Sequence, residues 1–329
     1  MSEIRPFRNC DLPGLVDSWV AHWSATGPPP RVSVAMTEKA MLSGQTFRPD
    51  RLLVAVSDAP HDEASAMLQW ARKPWGLQTV HGWCHIQPLP GDSSSALIGV
   101  LCFTPDEGVQ ICDDLLVAAE ESIRAQGFKQ VVVGPLRDNA SGYAGFSPIG
   151  HGVGVPVSDT RTSSLLSRHG YSITQSAVQM AIATPTYRAP IHRDWIRLKR
   201  TTRIEKVDVI PQDCVLSSAM SHLDQEQHVL VDHRAQTELA CVQFWTSDPE
   251  TQIMDCADAI LDLTPQHEAG ELSSEEQLLA SSVVQTFSNR RIFRVETVID
   301  QDQAKIIEQL TALGFSAEQQ GNRWSKPLT

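Results

Sequence analysis

The order strand, strand, strand, Thr-Pro, helix, strand, helix runs twice through this chain of 329 residues. A repeat of that size constrains the fold more than any single motif, because the two copies must each bury a core or share one. In the first copy Leu52–Val56, Val80–Ile86 and Ala96–Phe103 read as strands, the third ending at Thr104-Pro105. A helix over roughly 113–126 follows, with Leu115, Leu116, Ala119 and Ile123 on one face and Gly127 after its last turn. Val131–Val133 is the next strand. The second copy keeps the order with Gln227–Val231, Leu239–Trp245 and Ala257–Leu263, ending at Thr264-Pro265. Ser273 and Glu276, at capping-box spacing, then open a helix striped by Leu279, Val283 and Phe287, before the strand Ile292–Val298. Trp83 to Pro105 spans 22 residues and Phe244 to Pro265 spans 21. Each copy closes on a short helix and a Gly-aromatic pair, over 159–171 and 302–315, with Leu166 and Leu310 four residues before the glycine.

The length suits two domains, and the expected division is 1–184, a basic linker helix over 185–206, and 207–329. The break at Pro185 to Pro190 precedes a helix in which Ile191, Trp195 and Leu198 share a face. Its cations (Arg188, Arg193, Arg197, Lys199, Arg200, Arg203 and Lys206) face two acids, Asp194 and Glu205. They are read either as a patch for phosphate or as a solvated face turned to the acidic second copy. The net charge is -12: residues 1–188 hold 14 Lys+Arg against 17 Asp+Glu, and 189–329 hold 13 against 22. That balance argues against nucleic acid as a partner and favours small or cationic molecules. The start lacks the apolar segment of a signal peptide and no later run reaches membrane-spanning length. Seven scattered cysteines without a Cys-x-x-Cys pair fit reduced thiols, so the expected compartment is the cytoplasm.

With the opening Ile4-Arg-Pro-Phe-Arg-Asn-Cys-Asp-Leu-Pro-Gly-Leu15, this order resembles the GNAT acyltransferases, twice over and across nearly the whole chain. Only the opening strand and helix lack a clear counterpart in the second copy. The resemblance implies an α+β fold, a mixed and mostly antiparallel sheet flanked by helices, in two tandem GNAT-like acyl-CoA N-acyltransferase domains forming an intrachain pseudo-dimer. It implies acetyl-CoA as co-substrate, a small-molecule amine as acceptor and direct attack without a covalent enzyme intermediate. The family cradles the pyrophosphate on backbone N–H groups at a helix start, where the first turn leaves donors unpaired. That passage carries over to Phe103, Thr104, Gly108 and Val109 in the first copy, and to Leu263, Thr264, Gly270 and Leu272 in the second. The family's Arg/Gln-x-x-Gly-x-Gly/Ala pattern is met by neither: four carboxylates surround Gly108, and His267 with Gly270 is the second copy's nearest approach.

Where many members place a thiolate-protonating tyrosine, this chain has Leu166 and Leu310. Tyr143 is the candidate substitute, with a packing role as the alternative. An attacking amine must shed a proton. Asp258 and Asp262, on one face of a strand by its period of two, are the candidate bases, with a solvent-facing pair as the competing reading. The long connection 134–158, with Gly150-His-Gly-Val-Gly154, is expected to wall the acceptor side, His151 being a proton relay or a plain surface histidine. His81, Cys84 and His85 lack metal-ligand spacing for a strand, so no metal is expected. The alternative to an enzyme is a binding or regulatory protein built on the same two frames.

Overall fold

A computed structural model describes residues 3–42, 47–58, 78–105, 109–138, 141–209, 214–247, 258–267 and 269–328. The first copy runs β1 (Glu3–Pro6), α1 (Leu12–Ser24), α2 (Val34–Leu42), β2 (Leu52–Asp58), β3 (Gln78–Leu89), β4 (Asp92–Phe103), α3 (Val109–Ala125), β5 (Gln130–Val133), β6 (Val155–Pro156), α4 (Thr160–Arg168) and β7 (Ser172–Ala183). The second runs α5 (Arg193–Thr201), β8 (Thr202–Val207), α6 (Cys214–Ala219), β9 (Leu223–Asp232), β10 (Glu238–Ser247), β11 (Asp258–Asp262), α7 (Thr264–His267), α8 (Ser274–Phe287), β12 (Arg294–Asp300), α9 (Ala304–Ala312) and β13 (Ser316–Pro327).

The strands form one continuous sheet in the order β1-β2-β3-β4-β5-β13-β7-β12-β11-β10-β9-β8, with β6 on the side of β13. Under the correspondence β1/β8 through β5/β12 and β7/β13, that order reads the same from either end. Each copy's last strand has crossed over: β13 completes the first copy by pairing with β5, and β7 completes the second by pairing with β12. The exchanged strands pair with each other at the centre, from Ser316↔Ala181 to Ser325↔Ser172.

The expectation that the second copy lacks an opening strand is corrected here, because β8 pairs with β9 along Thr202↔Asp232 to Val207↔Gln227. Its charged sequence, Thr-Arg-Ile-Glu-Lys-Val, hid it: as the sheet's outermost strand it needs little apolar character. Before it, α5 buries Trp195 and Leu198 in the core around α8, leaving Arg193, Arg197, Lys199 and Arg200 exposed. The segment expected as a linker thus contains structure belonging to the second copy's sheet and core.

Apolar alternation sorts the side chains to two faces. In the second copy Ala259, Leu261, Leu263, Val295 and Ile299 join the core with α8 and α9. Ile260 and Val298 lie in separate clusters on the opposite face, with Ala144 and with Leu136 and Val153 from the first copy's long connection. In the first copy α3 and α4 cover one face, while α1 and α2 cover the other with Trp19, Trp83, Tyr143 and Phe146. Among the described residues, no helix is long and apolar enough to cross a membrane.

Candidate active site

The parallel strands β4 and β5 pair only from Ser95↔Gln130 to Ile98↔Val133, whereas β4 runs on to Phe103. The divergence has a local cause: the β3–β4 register passes from His85↔Val100 to Ile86↔Ile98, so Gly99 is a bulge, and a bulge bends its strand and increases its twist. The opening that results is lined by Gly99, Val100, Leu101, Val133, Gly134 and Trp23 among others, and holds about 30 Å³, roughly one water's worth of space. Strand β11 likewise leaves β12 after Ile260↔Glu296, but its register with β10 is unbroken from Thr246↔Ala259 to Gln243↔Asp262. The second copy therefore diverges without a bulge.

At the far end of the first copy's opening lies a buried pair. His22 Nε2 lies 3.0 Å from Asp159 Oδ2, and its Nδ1 lies 3.1 Å from the Phe103 carbonyl and 3.3 Å from the Phe103 amide. Asp159 also caps α4 by accepting from Thr162 N at 3.1 Å. Burial pushes its carboxyl up, but the bonds from His22 and Thr162 outweigh that and leave it below the usual range. Cys102 is next along β4, yet it is no nucleophile: desolvation raises its thiol well above the ordinary value, and both His22 ring nitrogens are engaged elsewhere. Arg161 stands over the Phe103 ring at 5.1 Å and donates through Nη2 to the His22 carbonyl at 3.0 Å. Its Nη1 is buried without an acceptor among the described residues. A guanidinium with a spare donor, beside the end of β4 and near the start of α3, suits an anion.

The corresponding passage in the second copy satisfies itself. Ser273 caps α8 and Glu276 answers it: Glu276 N donates to Ser273 Oγ at 3.1 Å and Ser273 N to Glu276 Oε2 at 2.8 Å. Thr264 N donates to Asp262 Oδ1 at 2.9 Å, Gly270 N to the Gln266 carbonyl at 3.3 Å and Leu272 N to Gln309 Oε1 at 2.8 Å. The N–H groups expected to cradle a pyrophosphate at Thr264, Gly270 and Leu272 are thus spent, and a carboxylate already sits at the helix N-terminus. Leu263 is buried in the core. In the first copy, Thr104 N donates to the His81 carbonyl at 2.8 Å, Phe103 meets His22 and Arg161, Val109 begins α3, and Gly108 lies outside the described residues.

A second, larger space of about 620 Å³ lies between the copies. Its walls are the end of α1 (Trp23), the α1–α2 connection (Thr26 to Pro29, and Arg31), the long connection from Gly145 to Ser158, and strands β7, β9, β10, β11, β12 and β13. Of the connection 134–158, residues in 145–158 line this space. Three carboxylates, Asp258, Glu296 and Glu318, and two guanidiniums, Arg31 and Arg294, line it. Glu296 is the deepest, 5 % exposed, and takes Gln179 Nε2 at 2.7 Å and Arg294 on the same oxygen, Oε2. Burial raises its carboxyl, against the pull of Arg294. Its Oε1 presses on Gly150, where a Cβ would stand 2.0 Å away. Arg294 also donates to Glu318 at 2.8 Å and lies 3.7 Å from Asp258.

The sequence candidates separate here. Asp258 and Asp262 do share the face opposite α8, but only Asp258 lines the cavity; burial raises its carboxyl, against the charge of Arg294. Asp262 is buried at the other end of β11, bonded to Thr264 N and 3.5 Å from His151 Nε2. His151 is 1 % exposed and edge-on to Trp245 at 4.8 Å, so the surface-histidine reading is overturned. Tyr143 is also 1 % exposed, its hydroxyl bonded to His85 Nδ1 at 2.8 Å among Trp19, Trp83 and Phe146, and burial raises it well above its ordinary value. Glu296, Arg294 and Gln179 escaped the sequence reading. The signal was present in Ile292-Phe-Arg-Val-Glu-Thr-Val298, a buried-strand pattern interrupted by two opposite charges two residues apart.

By sequence the chain matches no protein-family model and none of the curated proteins. Its structure is similar to a GCN5-related N-acetyltransferase from Sphaerobacter thermophilus, with a TM-score of 0.62 at 12% identity, covering 99% of this chain and 95% of that one. A tandem GNAT protein from the clavulanic acid biosynthesis pathway gives a TM-score of 0.61 at 13% identity, covering 99% and 98%. A putative acetyltransferase from Pyrococcus horikoshii gives 0.55 at 13%, covering 100% and 90%. The chain has the tandem GNAT fold.

Proposed function

We propose that the chain is a CoA-dependent N-acyltransferase in which the first copy seats the acyl thioester and the cavity between the copies takes the amine. One observation carries this reading: the bulged β4–β5 opening and the 620 Å³ cavity share Trp23 as a lining residue, so a thioester arm and an acceptor would approach each other across one side chain. The opening is closed to about 30 Å³, so admission of a pantetheine arm entails movement of its lining, Trp23 included. Arg161 would meet the diphosphate, a role that its unsatisfied Nη1 supports.

The reaction is direct acyl transfer. The amine nitrogen forms a bond to the thioester carbon, the carbon–sulfur bond breaks, and the sulfur leaves as the CoA thiol with one proton. The incoming ammonium must first give up a proton, for which Glu296 and Asp258 are the acceptors at the cavity wall. Glu296, held by Gln179 and Arg294 with its carboxyl raised by burial, is the better matched of the two. The second copy, with the Thr264, Gly270 and Leu272 amides already bonded and Glu276 at its helix N-terminus, supports the site without holding CoA.

The test is calorimetric titration of the full chain with acetyl-CoA, followed by thiol release with a panel of primary amines. Arg161→Ala is expected to weaken acetyl-CoA binding by about tenfold or more, the worth of a charged hydrogen bond. Absence of acetyl-CoA binding to the unaltered chain at millimolar concentration sinks the reading.

A further inference from the structure

The cavity between the copies is not uniformly acidic; its charges are ordered by depth. Glu296 lies at the bottom, Arg294 is 29% exposed, and Asp258 and Glu318 stand at the rim at 51% and 45%. Among the described residues, three carboxylates against two guanidiniums leave one negative charge. The cations are committed: Arg294 donates to both Glu296 and Glu318, and the charge of Arg31 acts on Asp258. An anionic group brought into this space would lose its water and find no uncommitted cation, only the neutral donors Trp23 Nε1, Trp245 Nε1 and Gln319 Nε2, which have no acceptor among the described residues. A cationic group would gain a carboxylate partner. Trp23, Trp245, Leu223, Ile260, Pro28 and Pro148 give the space apolar surface, alongside the neutral polar side chains of Ser147, Gln319 and Gln320. The 620 Å³ volume is within the range that holds a ligand of drug size rather than a bare small amine.

From this ordering we propose that the acceptor is a monocationic primary amine carried on an extended apolar or aromatic body, without a carboxylate beside the amine. Its ammonium reaches Glu296 and its body lies against Trp23, Trp245 and the prolines. The identity of the acceptor rests on the acyl-transfer reading; the binding of such an amine does not, because the cavity stands without CoA. Polyamines are disfavoured because the rim carboxylates that could take a second cation are already engaged, Glu318 by Arg294 and Asp258 by the charges of Arg294 and Arg31, and α-amino acids because their carboxylate would meet Glu296 and Glu318.

The experiment is calorimetric titration of the full chain, in the absence of acetyl-CoA, with 3-phenylpropylamine, 3-phenylpropionate, phenylalanine and putrescine. The arylalkyl amine is expected to bind at least tenfold more tightly than the other three. Glu296→Gln should weaken it by about tenfold or more, as loss of a charged hydrogen bond does. Since Glu296→Gln also disturbs Gln179 and Arg294, a second variant reads the same thing from the rim. Val157 lines the cavity at 52% exposed, and Val157→Arg adds a cation there without touching the core. It should weaken the amine with the melting temperature unchanged. Equal or tighter binding of phenylpropionate, phenylalanine or putrescine overturns the proposal, as does no binding of the amine, or amine binding indifferent to Val157→Arg. Amine binding without acetyl-CoA binding would remove the acyl-transfer reading and leave this one standing. Acetyl-CoA binding with phenylalanine as the acceptor would do the reverse.

Discussion

His85 shows how a single side chain ties the fold of the first copy to pH. It is buried beneath Phe47 and Tyr143, and desolvation, helped by the charge of Arg51, draws its imidazole down to about 3. In the unfolded chain the same group titrates near 6.5. The unfolded state thus binds a proton that the folded state refuses, so the contribution of His85 is intact above pH about 6.5 and is lost as the pH falls toward 3, by up to about 1.4 kcal/mol per unit. Urea unfolding at pH 7, 5.5 and 4.5 should show a shallower loss for His85→Gln than for the unaltered chain; parallel losses would refute the assignment. Gly150 makes a second residue-scale case. Its φ of +51° and the nearness of Glu296 Oε1 both demand glycine. Gly150→Ala should cost about 1–3 kcal/mol in unfolding free energy, and less when Glu296 is also alanine, because part of the cost is the contact between them.

At the scale of elements, α3 and α8 are the same helix used differently. Both follow a strand that leaves its parallel neighbour, but α8 directs its Glu276 and Gln277 amides to the side chain and carbonyl of Ser273, with Glu276 at the positive end of its dipole. Ser273→Ala should therefore cost about 1 kcal/mol of stability, read as a fall in melting temperature. Acetyl-CoA affinity should not change; a tenfold loss would put the cofactor in the second copy. The capping box was legible from Ser273 and Glu276 because capping is a contact between residues three apart. The donation of Leu272 N to Gln309, 37 residues away, was not. It is that bond, with the one from Thr264 N to Asp262, which removes the expected cradle. The Gly99 bulge was equally hidden, since it is a property of the β3–β4 register and not of either strand alone.

On the scale of the whole molecule, the exchange of β7 and β13 binds the copies into one sheet. Ion pairs reinforce it: Arg137 bridges to Asp300 in two bonds of 2.8 Å, and Arg323 to Asp138, each joining a residue of one copy to the other. Residues 1–184 alone would carry β7 without its β12 partner and would leave the β5 edge bare, and an exposed unpaired edge invites aggregation. Expressed separately, 1–184 and 185–329 should be insoluble or self-associated; expressed together they should elute as a single 1:1 complex. Two soluble monomers on size-exclusion chromatography would show that the exchange is dispensable. Because Gln179 on β7 holds Glu296 on β12, the same exchange also builds the floor of the candidate acceptor site.

The repeated order of strands and helices, their approximate spans and the common face of Asp258 and Asp262 on β11 followed from periodicity, turn residues and caps, all of which act over a few neighbouring residues, whereas α2 and the exchanged strands β7 and β13 did not. The edge strand β8 escaped because its position relieves it of the apolar pattern that marks buried strands. Two like frames, and a common face for Asp258 and Asp262, were legible from local pattern. Which strand completes which frame, the burial of His151 against Asp262 and the place of Glu296 at the bottom of the shared cavity came from the folded chain alone. Those features depend on contacts between residues a hundred or more positions apart, whose energies come from burial and pairing across the sheet and leave no local pattern in the chain.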